Sequence, residues 1–87
     1  MATVILPRSL VALFPGLDRR ISLEASEVGG LIEALERRAP GIRDRLCDVG
    51  PSLREHLNVF VDGEPAGLET PVRPGSTVHV IPAVSGG

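Results

Sequence analysis

One run of the chain has clear helical spacing, and strand-like sequence lies on both sides of it. Val28, Leu31, Ile32 and Leu35 recur at the 3.6-residue period, and Ala39 continues the stripe. Glu33, Glu36, Arg37 and Arg38 fall largely on the opposite face, with the arginines late, where they favour the negative end of the helix dipole. Ser26 is placed as the N-cap, with Glu27 behind it at the positive end. Pro40-Gly41 stops the run, so the expected helix is Val28–Ala39. Gly29-Gly30 weakens its first turn, a cost expected to be offset by a close approach of the helix to a sheet. A single amphipathic helix must bury its stripe against something, and the strands around it are the only candidates.

Those strands are legible in turn. Thr3-Val4-Ile5-Leu6 is a short apolar run closed by Pro7, and Arg20-Ile21-Ser22-Leu23-Glu24 alternates polar and apolar. The apolar stretch Leu10–Leu17, with a turn at Pro15-Gly16, joins them as a hairpin with a long connection. Ile42–Leu46 is expected to form one more helical turn, and Asp48–Ser52, with Gly50-Pro51, a loop. Leu57-Asn58-Val59-Phe60-Val61 is the strongest strand signal, followed at once by the tight-turn pair Asp62-Gly63. Glu64–Thr70 reads as a short return strand broken by Pro65 and Gly67. Thr77–Ile81 is the last strand, ended by Pro82. Strands before and after one main helix predict an α+β domain, a sheet with that helix across one face.

Eighty-seven residues predict a single domain, and 43% hydrophobic residues allow a modest core. A net charge of -2 and only two aromatic residues, both Phe, argue against a nucleic-acid reader. All nine basic residues besides the histidines are arginine, so neither a Schiff-base lysine nor a lysine-linked chain on this protein is available. A lone cysteine, Cys47, excludes an internal disulfide and supplies too little for a zinc site. The start of the chain shows no secretory signal pattern, and no apolar run approaches membrane length, so the expected location is the cytoplasm without membrane partners.

The sequence ends Pro82-Ala83-Val84-Ser85-Gly86-Gly87. Two glycines form a thin thread that lets backbone approach backbone closely. Together with Asn58-Val59-Phe60-Val61-Asp62-Gly63 and Arg73-Pro74-Gly75-Ser76-Thr77-Val78-His79-Val80-Ile81, this ending resembles the sulfur carrier proteins of the ThiS and MoaD type. The tail and the long Arg43–Leu57 connection look most like the CysO-like branch of that family. The family often has Asp-Gly-Asp before its last strand, where this chain has Arg73-Pro74-Gly75, a structural turn.

The resemblance implies the ubiquitin-like β-grasp fold, a mixed sheet packed on one main helix with a flexible C-terminal tail, 83–87. It further implies that a ubiquitin-activating-like adenylyltransferase and sulfurtransferase uses ATP to adenylate Gly87. Sulfur then displaces AMP to leave a thiocarboxylate, which is delivered to an acceptor enzyme of a biosynthetic pathway. Such a carrier is a protein co-substrate, not an enzyme, and binds no cofactor or metal itself. Ala83 to Gly87 extend at most about 16–18 Å beyond the last strand. Gly86 and Gly87 offer no Cβ to clash with a channel wall, while Val84 and Ser85 can be read by side chain.

Residues outside the tail carry a second expectation. If Val59, Val61, Val78 and Val80 face the helix, alternation puts Phe60, His79 and Ile81 on the other face. Those side chains, with Pro82 and the tail, form the expected partner patch unless the Arg43–Leu57 connection covers them. His56 and His79 read as surface histidines and Cys47 as a small buried hydrophobe. Three other readings stay open: a molybdopterin-synthase small subunit of the MoaD type, a ubiquitin-like protein modifier, and a binding module with an accidental Gly-Gly.

Overall fold

A computed structural model describes residues 1–49 and 52–82. Five strands form one mixed sheet in the order β2-β1-β7-β5-β6, where β1 is Ala2–Ile5, β2 Arg20–Leu23, β5 Leu57–Val61, β6 Glu64–Ala66 and β7 Thr77–Pro82. The central strand β7 runs parallel to β1 and antiparallel to β5. The helix α2, Val28–Arg38, lies across one face, with Val28, Leu31, Ile32, Ala34 and Leu35 buried. This is the β-grasp arrangement expected from the resemblance. The expected flexible tail falls on residues 83–87, and the Gly50-Pro51 loop on residues 50 and 51; both lie outside the described residues.

The core follows from two periodicities meeting. Val4, Val59, Val61, Val78 and Val80 point from the sheet toward the helical stripe, and all are buried. Leu35 is fully buried, and burial of such a side chain contributes about 1.5–3 kcal/mol. Between β5 and β6, Asp62 (φ 50°) and Gly63 (φ 86°) both take left-handed backbone, as a two-residue hairpin turn with the right-handed strand twist requires. The Asp62 carboxylate also accepts the Thr77 N–H at 2.8 Å, tying that turn to the start of β7.

Several local expectations change. The N-cap position of α2 is Glu27, not Ser26, and no side chain caps it. The Val28 and Gly29 N–H groups donate instead to the carbonyls of Thr70 and Leu68, at 3.1 and 2.8 Å, while the Ser26 carbonyl accepts the Val72 N–H. The helix start is thus closed by a neighbouring segment. The same contact explains Gly29: a Cβ there would lie 3.3 Å from the Leu68 carbonyl oxygen, so the close approach is to the 68–70 loop, not to the sheet. The return strand is shorter than Glu64–Thr70 and stops at Ala66.

Two connections contain more structure than expected. The link from β1 to β2 includes the short helix α1, Arg8–Val11, hidden in the sequence behind Pro7. After α3, Ile42–Leu46, the strands β3 (Cys47–Asp48) and β4 (Ser52–Leu53) pair as a small separate hairpin. Glu36 receives the N–H groups of Gly41 and Arg43 at the start of α3. The Arg43 guanidinium meets Glu33 at 2.8 Å, and Arg54 donates to the Asp44 carbonyl and pairs with Asp48 at 3.1 Å. These bonds hold α3 and the described residues after it, through Arg54, on the helix side, where Ile42 and Leu46 join the core.

Candidate functional site

With the excursion drawn to the helix side, the opposite face of the sheet carries the side chains left over by alternation. Phe60 pairs in register with His79, and His79 with Ile5, so the three stand side by side across β5, β7 and β1. Arg20 on β2 and Pro65 on β6 extend the same row to both edges of the sheet. Phe60, His79 and Ile5 are half-buried, while Ile81 is 44% exposed one step nearer the tail. The structure therefore brings Phe60, His79 and Ile81 onto one face, opposite the buried Val59, Val61, Val78 and Val80. The row is thus Ile5, His79 and Phe60, flanked by exposed Arg20 and Pro65.

The tail leaves from this face's end. Pro82, the last described residue, pairs with Leu57 at the end of β7. At about 3.3 Å per residue, Pro82 stands about 10 Å from His79. Ala83, Val84, Ser85, Gly86 and Gly87, the remaining residues of the expected site, lie outside the described residues.

Sequence reasoning missed Ile5 and Arg20 as members of the row. Ile5 sits in the continuous apolar run Thr3–Leu6, which gives no alternation to read, and the parallel pairing of β1 with β7 is a long-range fact. Arg20 alternates clearly with Ile21, but nothing local reveals that it stands level with Phe60.

Cys47 lies on the helix side, in a groove of about 680 Å³ with Ile32, Arg43 and Leu68. It is half-buried rather than fully buried. Burial pushes its thiol pKa above the ordinary value, which lowers the thiolate fraction and the nucleophilicity. His56 is exposed, as expected of a surface histidine. Among the described residues, no three His, Cys, Asp or Glu side chains are grouped so as to hold a metal ion. No helix among them is long and apolar enough to cross a membrane.

Sheet order, helix placement and open face define a ubiquitin-like β-grasp protein. Residues 9–87 match the ThiS family, and the chain belongs to it. Carriers of this family are protein co-substrates, not enzymes, and bind no cofactor of their own. The chain is 32% identical over 78 residues to the sulfur carrier protein CysO of Mycobacterium tuberculosis, covering 83% of this chain and 84% of that one. Its fold superposes on that in the crystal structure of the Amycolatopsis orientalis BexX/CysO complex with a TM-score of 0.87 and 31% identity, over 100% of both chains. It also resembles the Haloferax volcanii small archaeal modifier protein 1, with a TM-score of 0.75 and 27% identity over 95% of this chain and 97% of that one.

Proposed function

We propose that this chain, a single β-grasp domain over 1–87, works in the cytoplasm as a CysO-like sulfur carrier whose Gly87 carboxylate becomes a thiocarboxylate. The observation that supports it most is that the central strand, ending at Pro82 at one end of an open face bearing Phe60, His79 and Ile81, is followed in sequence by Ala83-Val84-Ser85-Gly86-Gly87. A carboxylate is a poor electrophile and must acquire a leaving group. An adenylating partner joins the Gly87 carboxylate to the α-phosphate of ATP and releases pyrophosphate. Hydrosulfide then attacks the acyl carbon and loses its proton, AMP leaves, and the thiocarboxylate remains on the tail. Its sulfur is nucleophilic and passes to an acceptor enzyme that docks in turn.

In this scheme the domain supplies recognition and the thread supplies reach. Phe60, His79, Ile81 and Pro82 cover the partner's surface, while Ala83, Val84, Ser85 and Gly86 run through its channel. Cys47 takes no part, because it lies half-buried on the far side of the sheet. That CysO of Amycolatopsis orientalis was crystallised together with BexX supports the expectation that such a surface engages a second protein.

The test is intact mass after incubation with ATP, a sulfur donor and the cognate activating enzyme. The expected gain is one oxygen-to-sulfur exchange, abolished by deleting Gly87 or by adding one residue after it. No gain with the native sequence would reject the reading. The likeness to the small archaeal modifier protein favours one second reading, a protein modifier. That reading requires Gly87 to appear in isopeptide linkage to lysines of other proteins, which the same mass measurement on host extracts detects.

A further inference from the structure

We propose that the corner of the open face beside the tail root, formed by Arg8, Arg19 and Arg20, binds an acidic segment of the enzyme that activates the tail. The inference rests on the sulfur-carrier reading and names a charged determinant for the docking step. Strand directions place these residues together. Because β1 runs parallel to β7, Ile5 and the Leu6-Pro7-Arg8 segment after it lie at the end where Pro82 leaves the sheet. Because β2 is antiparallel to β1, it begins at that end with Arg20, next to Arg19. A groove of about 250 Å³ there is lined by Arg8 and Arg19 together with Ile5, His79, Ile81 and Pro82. It therefore joins the apolar row to the base of the thread.

The charge there is uncompensated. The protein as a whole is acidic, at -2, yet all three arginines are exposed. Among the described residues the ion pairs are Arg43 with Glu33 and Arg54 with Asp48, both on the helix side. Neither Asp18, the neighbour in sequence, nor any other described carboxylate lies within ion-pair distance of the corner. Arg19 is also held in place. Its Nε donates to the Leu6 carbonyl at 3.1 Å and its own carbonyl accepts the Leu6 N–H at 2.7 Å, which leaves the terminal nitrogens of the guanidinium for a ligand. A fixed guanidinium loses less conformational freedom on binding a carboxylate than a free one.

The chemistry of the groove selects its occupant. Arginine forks suit carboxylates, and the apolar floor of Ile5, Ile81 and Pro82 suits the body of a polypeptide, so the ligand is an acidic stretch of protein chain. At the diagonally opposite corner, the β5–β6 turn, the Asp62 carboxylate is tied to the Thr77 N–H, and Glu64 pairs with Val61 on the helix side. A basic corner beside the tail root draws an acidic partner segment to that end of the face, with the tail toward the matching site. Such complementarity acts chiefly on the association rate and on register.

The experiment measures association of the carrier with its cognate activating enzyme by stopped flow at rising salt, for wild type, Arg8→Glu/Arg19→Glu and Arg37→Glu/Arg45→Glu. The last pair changes the net charge equally on the helix side. The expected result is an association rate lower by about tenfold or more at low salt for the corner variant, with a flattened salt dependence, and a rate within about twofold of wild type for the control. Arg8→Glu alone, which leaves the Arg19–Leu6 bond intact, is expected to retain the native melting temperature and to show part of the loss. Equal rates for corner variant and wild type, or equal losses for corner and control, overturn the proposal. It is likewise overturned if Arg8→Glu shifts the Gly86 and Gly87 resonances of the isolated protein, which makes the tail itself the occupant. A change in oligomeric state with the corner variant makes a second copy the occupant and has the same force. Wild-type thiocarboxylate formation is assayed in the same preparation: its failure rejects the carrier reading, whereas its success with unchanged rates rejects this inference alone.

Discussion

The two faces of the sheet are built from the same strands, yet they differ in nearly everything except register. On the helix face, Val4 and Val78 are completely shielded and Val59 is buried. On the open face, the residues one step along, Ile5, His79 and Phe60, are half-buried, and Ile81 is 44% exposed. A strand whose alternate residues are both apolar has a face that the fold does not need. The difference teaches where packing within the fold ends: Val78 is covered by the helix above it, whereas Phe60 and Ile81 keep part of their surface uncovered by the described residues.

Substitutions on the two faces should therefore separate stability from docking, and the largest effect is expected in the core. Leu35→Ala should cost about 2–5 kcal/mol, read as a lowered denaturation midpoint. An unchanged midpoint would break the comparison at its base. Phe60→Ser and Ile81→Ser should cost about 1 kcal/mol of stability or less, while each weakens binding to the activating enzyme about tenfold, ~1.4 kcal/mol. Calorimetric titration checks this, and full-strength binding by both variants would remove the open face from the account.

Smaller effects probe how the helix is seated over the core. Gly30→Ala meets nothing nearer than the Ala25 Cβ at 3.7 Å, so it should stabilise by about 0.5–1 kcal/mol through helix propensity. Gly29→Ala meets the Leu68 carbonyl oxygen at 3.3 Å and should forfeit that gain. Equal melting temperatures for the two variants would mean that the 68–70 segment does not close the helix start.

The smallest effect is electrostatic and lies at the far corner. The Thr77 N–H and the Ser76 hydroxyl donate to the Asp62 carboxylate and hold its pKa below the ordinary value. A pKa lowered in the folded state stabilises the fold above the unfolded pKa, about 3.9, and that contribution is lost as pH falls through the folded value. Asp62→Asn should therefore flatten the stability profile below about pH 4 and leave docking at neutral pH nearly unchanged. A variant as acid-sensitive as wild type would show that the bond to Thr77 is not linked to folding.

How much of this was legible in the sequence depended on range. The helix expected over Val28–Ala39, which ends one residue earlier at Arg38, and the buried valines of β5 and β7 were readable because period 3.6 and period 2 are local signals. The Asp62-Gly63 turn was readable because positive φ at successive residues restricts the chemistry. The open-face trio Phe60, His79 and Ile81 followed from the same alternation. Ile5 and Arg20 were not readable, since they join the row only through pairing across the sheet. Ser26 misled because the helix start is closed by backbone from residues 68–70, a partner that no local motif announces. The β3–β4 hairpin was hidden for a similar reason: two-residue strands carry too short a pattern to detect.

The central claim is that sulfur resides on the C-terminal carbon and that the open face serves only to bring a partner there. Fragment mass spectrometry on the activated carrier tests it most directly, because Gly87 and Cys47 fall in different peptides. The account predicts the oxygen-to-sulfur exchange on the C-terminal peptide, at Gly87, with Cys47→Ala reacting as well as the native protein. Sulfur found on the peptide containing Cys47, or its loss in Cys47→Ala, would contradict the carrier mechanism.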